Sequence, residues 1–356
     1  MRPLDASVKR FVSTVLDRAP STGVRGEFTQ SRLDRPGSKD VEVIGRPPMF
    51  RHGRSLSVEK KASALDTDAR IGMYTANGTM SGLGQILTDN YRRYPNLRYT
   101  AQGIPDLERL YWGDTSRASG RYKDLPVVRS HPLFEENRVR LHPDPITWTR
   151  ALNDYDLVFG TRVHGNTASL LAGTPAVVMC HDSRAPEPSR YFDIPHRNMT
   201  EPSEEFGAAK LYERADYTAL VKGHGERFER MTGYVGKHGI PHVLQDGGAA
   251  FEERIRGVDF TPPVEVWSDD DGGLGYRMGW LKESVRNLTQ EQQKSKKRQG
   301  SPEKNTQLNK RQESPERKLA QAGKRLAALE KAGKTTPYRR MRRAGGRALR
   351  RVGLRK

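Results

Sequence analysis

Val158-Phe159-Gly160-Thr161-Arg162-Val163-His164-Gly165-Asn166-Thr167-Ala168 joins a short apolar run to a helical one through a glycine turn that carries an arginine and a histidine. Asp156–Phe159 reads as a short buried strand, and Asn166–Leu171 lies in the helix that follows. In an open α/β sheet, ligands bind outside the carboxyl ends of the strands, where such turns lie. The helix points free backbone N–H groups and a partial positive charge into the same space. An anion placed there meets backbone donors and the guanidinium of Arg162, with the imidazole of His164 close by. Arginine suits carboxylate or phosphate because its planar fork donates two parallel hydrogen bonds. A plain surface turn accounts for one Arg and one His equally well, so the neighbouring strand matters. Gly173-Thr174-Pro175-Ala176-Val177-Val178-Met179-Cys180 is a second apolar strand, and it opens into His181-Asp182-Ser183-Arg184-Ala185-Pro186-Glu187. Two strand ends then present Arg, His, Asp and Glu side by side.

Outward from this pair the chain repeats one unit. Upstream, Arg70–Tyr74, Leu97–Gln102 and Arg138–His142 read as strands. Gly84–Arg93, Pro105–Trp112 and Pro145–Asn153 read as helices, two of them opened by proline in the first turn. Continuous rather than alternating apolar strands, separated by helices, argue for a parallel sheet covered on both faces. The fold class is therefore α/β, a Rossmann-like doubly wound sheet over residues 66–200. The segment 208–234 is helical and is expected to pack back across it. Before the series, Val8–Leu16, Thr22–Arg25, Glu27–Leu33 and Val41–Ile44 read as helix, strand, helix, strand. Arg46–Lys61, with Pro47, Pro48, Gly53 and several charges, reads as a linker.

The formal charge of +19 suggests a nucleic-acid binder until it is divided. Leu281–Lys356 holds 24 Lys+Arg and 6 Asp+Glu, leaving 62 − 24 = 38 bases and 43 − 6 = 37 acids in residues 1–280. The basic character belongs to the tail, and the body is nearly neutral. From about Gln290 apolar periodicity fades into Lys, Gln, Arg and Ser, the composition of disorder, although Glu316–Lys331 sets Leu319, Ala322, Leu326 and Leu329 near one helical face. The tail reads first as a solvated segment with no defined partner, and next, through Arg339-Arg340-Met341-Arg342-Arg343, as a weak contact with an anionic membrane. Tyr338 is the tail's one aromatic residue, so base stacking is poorly supplied and specific nucleic-acid binding is disfavoured. The 34% hydrophobic content is low for a fully globular chain, in keeping with such a tail.

Cys180 is the only cysteine, which excludes an internal disulfide. Gly173 and Pro175 break the most apolar stretch, Leu170–Cys180, well short of the roughly 18–20 residues of a membrane helix. Asp5, Lys9 and Arg10 interrupt any apolar signal core at the N-terminus, so a cytoplasmic, at most membrane-peripheral, location is expected. His238 and His242 are four apart, but Gly239 and Pro241 oppose the helix that would align them on a metal. No metal site is expected. The Asn-x-Thr triplets at Asn77, Asn198 and Asn287 carry no weight without a secretory signal.

The run from Gly160 to Pro195 contains the Gly-Thr-Arg-Val-His-Gly turn, Ala-Gly-Thr-Pro, Asp-Ser-Arg and Tyr191-Phe192-Asp193-Ile194-Pro195. In that order it resembles the C-terminal part of the polysaccharide pyruvyl transferase family. Gly23-Val24-Arg25-Gly26-Glu27-Phe28-Thr29 and Val43-Ile44-Gly45-Arg46-Pro47-Pro48-Met49-Phe50 are similar to that family's Val-Arg-Gly-Glu and Gly-x-Pro-Ser segments. Tyr99-Thr100-Ala101-Gln102-Gly103, preceding Glu108, also fits, so the resemblance spans roughly residues 10–200.

The resemblance implies two facing Rossmann-like domains of the B-type glycosyltransferase architecture, with phosphoenolpyruvate between them as donor substrate and no cofactor. It implies transfer of pyruvate, as a ketal, to a sugar of a cell-surface or exopolysaccharide, with a saccharide acceptor that is lipid-linked in one version of the reading. Arg25, Arg162, Gly165 and Asn166 are then substrate-binding, and His164 is the catalytic acid. Asp182, Arg184 and Glu187 complete the substrate-binding set, although Asp182 and Glu187 serve equally well to cap the helix or orient Arg184 or Arg162. The family's first domain carries an Asn-x-Gly-Asp turn that this sequence lacks, so a truncated first domain is expected. The expected organisation is a partial N-terminal domain over 1–55, a linker over 56–65 and a C-terminal domain with the donor site over 66–245. An irregular extension over 246–289 and a disordered basic tail over 290–356 follow. Two other readings remain open: a nucleotide-sugar-dependent glycosyltransferase or epimerase of the same architecture, in which Arg162 and His164 grip a diphosphate, and a non-catalytic remnant with an anion-binding tail.

Overall fold

The computed structural model describes residues 3–34, 40–75, 82–113, 115, 124–182, 185–242, 249–268 and 272–299. Two compact units divide the chain, Met1–Asp271 and Gly272–Lys356.

The first unit opens with helix α1 (Pro3–Leu16), strand β1 (Thr22–Val24), helix α2 (Glu27–Asp34) and strand β2 (Val41–Val43). β1 and β2 pair in parallel, with Thr22 opposite Val41 and Val24 opposite Val43. Val24, Val41 and Val43 form a small apolar cluster with Leu33 and Tyr191 packed on it. The βα series then runs β3 (Ile71–Tyr74), α3 (Leu83–Arg93), β4 (Arg98–Thr100), α4 (Ile104–Trp112), α5 (Pro132–Glu135) and β5 (Val139–Arg140). It continues through α6 (Pro145–Leu152), β6 (Leu157–Gly160), α7 (Val163–Leu171), β7 (Ala176–Cys180), α8 (Pro186–Phe192) and β8 (His196–Asn198).

These strands form one sheet in the order β5-β4-β3-β6-β7-β8, every neighbouring pair parallel. β3 starts at the centre, the chain winds outward through β4 and β5, then returns to the other side of β3 as β6. Right-handed crossovers send the helices of the two directions to opposite faces. This is the doubly wound Rossmann order, and its reversal point lies between β3 and β6. All residues of β3, β6 and β7 are buried, as a sheet covered on both faces requires. Asp144 starts α6 by accepting from the amides of Ile146 and Thr147, both at 2.8 Å, ahead of Pro145 in the first turn.

After β8 the chain packs back as α9 (Ala208–Arg214) and α10 (Thr218–Lys237). Asn90 of α3 anchors it, donating to the Phe206 carbonyl at 3.1 Å and accepting from the Ala208 amide at 2.7 Å. Two sequence expectations need correction. Within Arg46–Lys61, Pro47–Phe50 is a 3-10 turn whose Met49 and Phe50 are fully buried, Phe50 lying 5.7 Å from the ring of Phe192. Prolines and charges mark this stretch as loop, yet its four large apolar residues, Met49, Phe50, Leu56 and Val58, are all buried. The extension 246–289 is not irregular throughout, since α11 (Ala249–Arg256) lies in it and α12 (Leu274–Gln299) begins there. α12 also carries the chain through 290–299, where Gln, Glu, Lys and Arg are good helix formers despite the fading apolar pattern. The rest of the expected tail, 300–356, lies outside the described residues.

Candidate functional site

Gly160 ends β6 at a point where no side chain fits. A Cβ there would lie 2.0 Å from the carbonyl oxygen of Tyr74 on β3. The contact lets β6 end flush against β3, and the chain then turns into α7 with Arg162 at its N-cap. Arg162 Nε donates to the carbonyl of Thr75, the residue after β3, at 3.2 Å. The guanidinium is thereby fixed at the reversal point of the sheet. Thr75 in turn shares a hydroxyl hydrogen bond with Tyr99 of β4.

The next residues hold this turn together. Asn166 is buried, and its Nδ2 donates to the carbonyls of Gly160 and Arg162, both at 3.0 Å. Its Oδ1 is buried without a hydrogen-bond partner among the described residues. Gly165 is also buried, and a Cβ on it would stand 2.6 Å from Tyr74 Cδ2 and 2.8 Å from Gln102 Nε2. Its missing side chain brings the first turn of α7 against the sheet, which is a packing duty.

His164 points out of the same turn and is exposed. Crowding by the protein on one side of the ring lowers its pKa first, and Arg46, Arg25 and Arg162 lower it further. Three guanidiniums from three strand ends therefore act on one imidazole: Arg25 after β1, Arg46 after β2 and Arg162 after β6. Arg25 is exposed, Arg162 half-buried and Arg46 buried. Sequence reasoning assigned Arg46 to the linker and gave it no role, although it lies in the Val43–Phe50 segment that resembles the family.

The neighbouring strand β7 ends on the same edge, since Gly160 lies opposite Val178 in the register. Asp182 follows two residues after β7, and His181 Nε2 lies 3.6 Å from its Oδ2. Burial pushes the thiol of Cys180 up to about 12, so it is a neutral packing group rather than a nucleophile. Arg184 lies outside the described residues.

Glu187 does not face this site as a free carboxylate. Its Oε1 accepts from the Thr29 amide at 2.6 Å and its Oε2 from the Thr29 hydroxyl at 2.9 Å. It thus caps the first turn of α2, a role that suits a negative charge near a helix N-terminus. Gly26 belongs to the same contact, because a Cβ there would meet Glu187 Cγ at 2.4 Å. The contacts of Glu187 with Gly26 and Thr29 lock the small sheet onto α8.

No curated protein matches the sequence. Among solved structures, a glycotransferase of kitacinnamycin is 14% identical, with a TM-score of 0.30, over 66% of this chain and 55% of its own. A putative UDP-N-acetylglucosamine 2-epimerase from Listeria monocytogenes is 13% identical, with a TM-score of 0.31, over 68% of this chain and 60% of its own. The chain thus spans little more than half the length of these structures. A sequence model of the polysaccharide pyruvyl transferases matches residues 3–183, just over half of the chain. That span contains both the Arg25 turn and the Arg162-Val163-His164 turn, and with this match the chain belongs to the polysaccharide pyruvyl transferase family.

Proposed function

We propose that this chain is a transferase that moves pyruvate from phosphoenolpyruvate onto two hydroxyls of a saccharide, closing a ketal. The observation that carries the reading is the turn after β6, where Arg162, held against Thr75, and His164 open α7 at the reversal point of the sheet, within the span that matches the family. Phosphoenolpyruvate presents a phosphate and a carboxylate on neighbouring atoms, and two guanidiniums, Arg25 after β1 of the small sheet and Arg162 after β6, suit such a pair. Arg162, held against Thr75, is the fixed member.

The reaction needs a proton at the methylene carbon. His164 supplies it, leaving positive charge at the carbon that bears the phosphate. One sugar hydroxyl adds there and loses its proton, phosphate leaves, and the second hydroxyl adds to close the ring. Of the two hydroxyl protons, one balances the new methyl group and the other leaves with phosphate. With the site empty, crowding by the protein and then the three guanidiniums lower the pKa of His164. A bound trianion offsets that field and lets the ring take up the proton it must donate. Asp182, two residues after the adjoining strand, is the group this reading assigns to the acceptor. The saccharide of a cell-surface polymer is the acceptor class, and a cytoplasmic setting belongs to the same reading.

Calorimetric titration tests this with phosphoenolpyruvate and, in parallel, UDP-N-acetylglucosamine. Saturable binding of phosphoenolpyruvate, with phosphate released on adding an acceptor glycan, is the expected result. Binding of the nucleotide sugar alone overturns it.

A further inference from the structure

Arg46 differs from the other buried arginines of the first unit. Arg109 is paired with Asp106, and Arg140 lies 2.9 Å from Glu265 while donating to the Asn137 side chain at 2.8 Å. Arg46 is only 8% exposed, yet no carboxylate or carbonyl among the described residues accepts from its guanidinium. The groups that feel its charge are Arg25, of the same sign, and His164.

The backbone makes this placement deliberate. Gly45, directly after Ile44 at the end of the small sheet, has a φ of 72°, and a Cβ on it would meet Tyr191 Cε1 at 2.5 Å and Phe192 Cζ at 2.6 Å. The glycine turns the chain under α8, and Arg46 follows, close enough to Arg25 and His164 for its charge to act on both, before Pro47 and Pro48 lead Met49 and Phe50 into the core. An arginine largely withdrawn from water without a counter-charge costs the protein stability, whereas an apolar side chain of similar length would be favourable there. A residue kept at a cost to folding is kept for something else, and a buried unpaired cation at the edge of an anion site calls for an anion.

We propose that Arg46 binds the ligand directly, taking one anionic group from the small-sheet side while Arg162 takes the other from the large sheet. The site is then built for a ligand with two anionic groups, and a monoanion fills only half of it. The identity of that ligand rests on the pyruvyl transfer reading; the role of Arg46 as its anchor does not.

The test is Arg46→Met, compared with wild type by thermal melting and by titration with phosphoenolpyruvate, pyruvate and UDP-N-acetylglucosamine. The ligand-free variant is expected to melt at or above the wild-type temperature, because an uncompensated charge has gone. Its affinity for phosphoenolpyruvate is expected to fall about 10- to 100-fold, the effect of losing a charged hydrogen bond. Wild type is expected to bind pyruvate far more weakly than phosphoenolpyruvate, and Arg46→Lys to recover part of the loss. Undiminished phosphoenolpyruvate binding by Arg46→Met overturns the proposal, as does a marked drop in its ligand-free melting temperature, which would make Arg46 structural. If wild type binds only the nucleotide sugar and Arg46→Met loses it, the anchor stands and pyruvyl transfer falls. If wild type binds none of the three, both fall.

Discussion

Arg162 Nε and the carbonyl of Thr75 meet at 3.2 Å across the point where the strand order reverses, joining the turn after β6 to the residue after β3. One nitrogen of the guanidinium is spent on position against Thr75. A lysine keeps the charge but cannot hold Thr75 and present a planar fork together. Arg162→Lys is expected to weaken phosphoenolpyruvate binding about 10- to 100-fold, with melting temperature little changed. Titration calorimetry reads this, and equal affinity would remove Arg162 from the donor site.

His164 is expected to separate binding from turnover. A general acid acts in the transition state, so His164→Gln should abolish product formation while donor affinity stays within a few-fold of wild type. Full turnover by the variant would pass the acid role to Asp182.

The two oxygens of Glu187 on Thr29 define a structural contact, and Glu187→Gln is its measure. Loss of the charged acceptor should lower stability by about 1–3 kcal/mol, seen in chemical denaturation, while donor affinity is retained. A variant that keeps full stability but loses turnover would return Glu187 to the saccharide.

Gly160 and Gly233 should respond in opposite directions to alanine. At Gly160 the new Cβ would meet the Tyr74 carbonyl at 2.0 Å, within the β3–β6 pairing, and only separation of the strands relieves it. Gly160→Ala is expected to lose about 4 kcal/mol or more, or to yield no folded protein. Gly233 lies within α10 with nothing inside 4 Å of its Cβ direction, so Gly233→Ala should gain about 0.5–1 kcal/mol. Denaturant midpoints of the pair decide it.

Histidines set the acid side of the stability curve. Burial holds His131, His142 and His224 below the ordinary value, His142 down to about 4 even with Asp144 beside it. The unfolded chain takes up these protons near pH 6.5 and the folded chain resists them. Stability is therefore complete above pH 6.5 and falls as the pH drops towards 4. His142→Phe, which can keep the stacking on Trp148, should flatten that slope in a series of melts from pH 7.5 to 4.5. An unchanged slope would mean His142 is as accessible folded as unfolded.

The sheet was legible because its strands are apolar throughout and its helices announce themselves. Ala176–Cys180 has no polar break, and prolines open α4 and α6. His196–Asn198 was not legible as a strand, since His, Arg and Asn carry no β preference. It is an edge strand defined by its partner, with Val178 opposite His196. The same limit applies at the site. The turn around Arg162 is local and could be read; the bond from Glu187 to Thr29 joins residues 158 apart, and nothing near either one signals the other. Arg46 sits in a Gly-Arg-Pro-Pro run that has the look of surface, and only the aromatic residues folded over Gly45 put it inside.

The strand order also sets a timetable for synthesis. β3 finds β4 soon, with Gly72 opposite Arg98, but its other edge waits for β6, where Ile71 pairs with Leu157, 157 − 71 = 86 residues later. At about 5–20 residues per second, the ribosome leaves that edge open for roughly 4–17 s. During this interval Ile71–Tyr74 shows an apolar strand with unpaired amides and carbonyls to every neighbouring chain. Until Leu157–Gly160 emerges, Arg162 has no seat against Thr75 and the ligand site does not exist. A chain interrupted anywhere between β4 and β6 therefore exposes a sticky strand edge and has no place to seat Arg162.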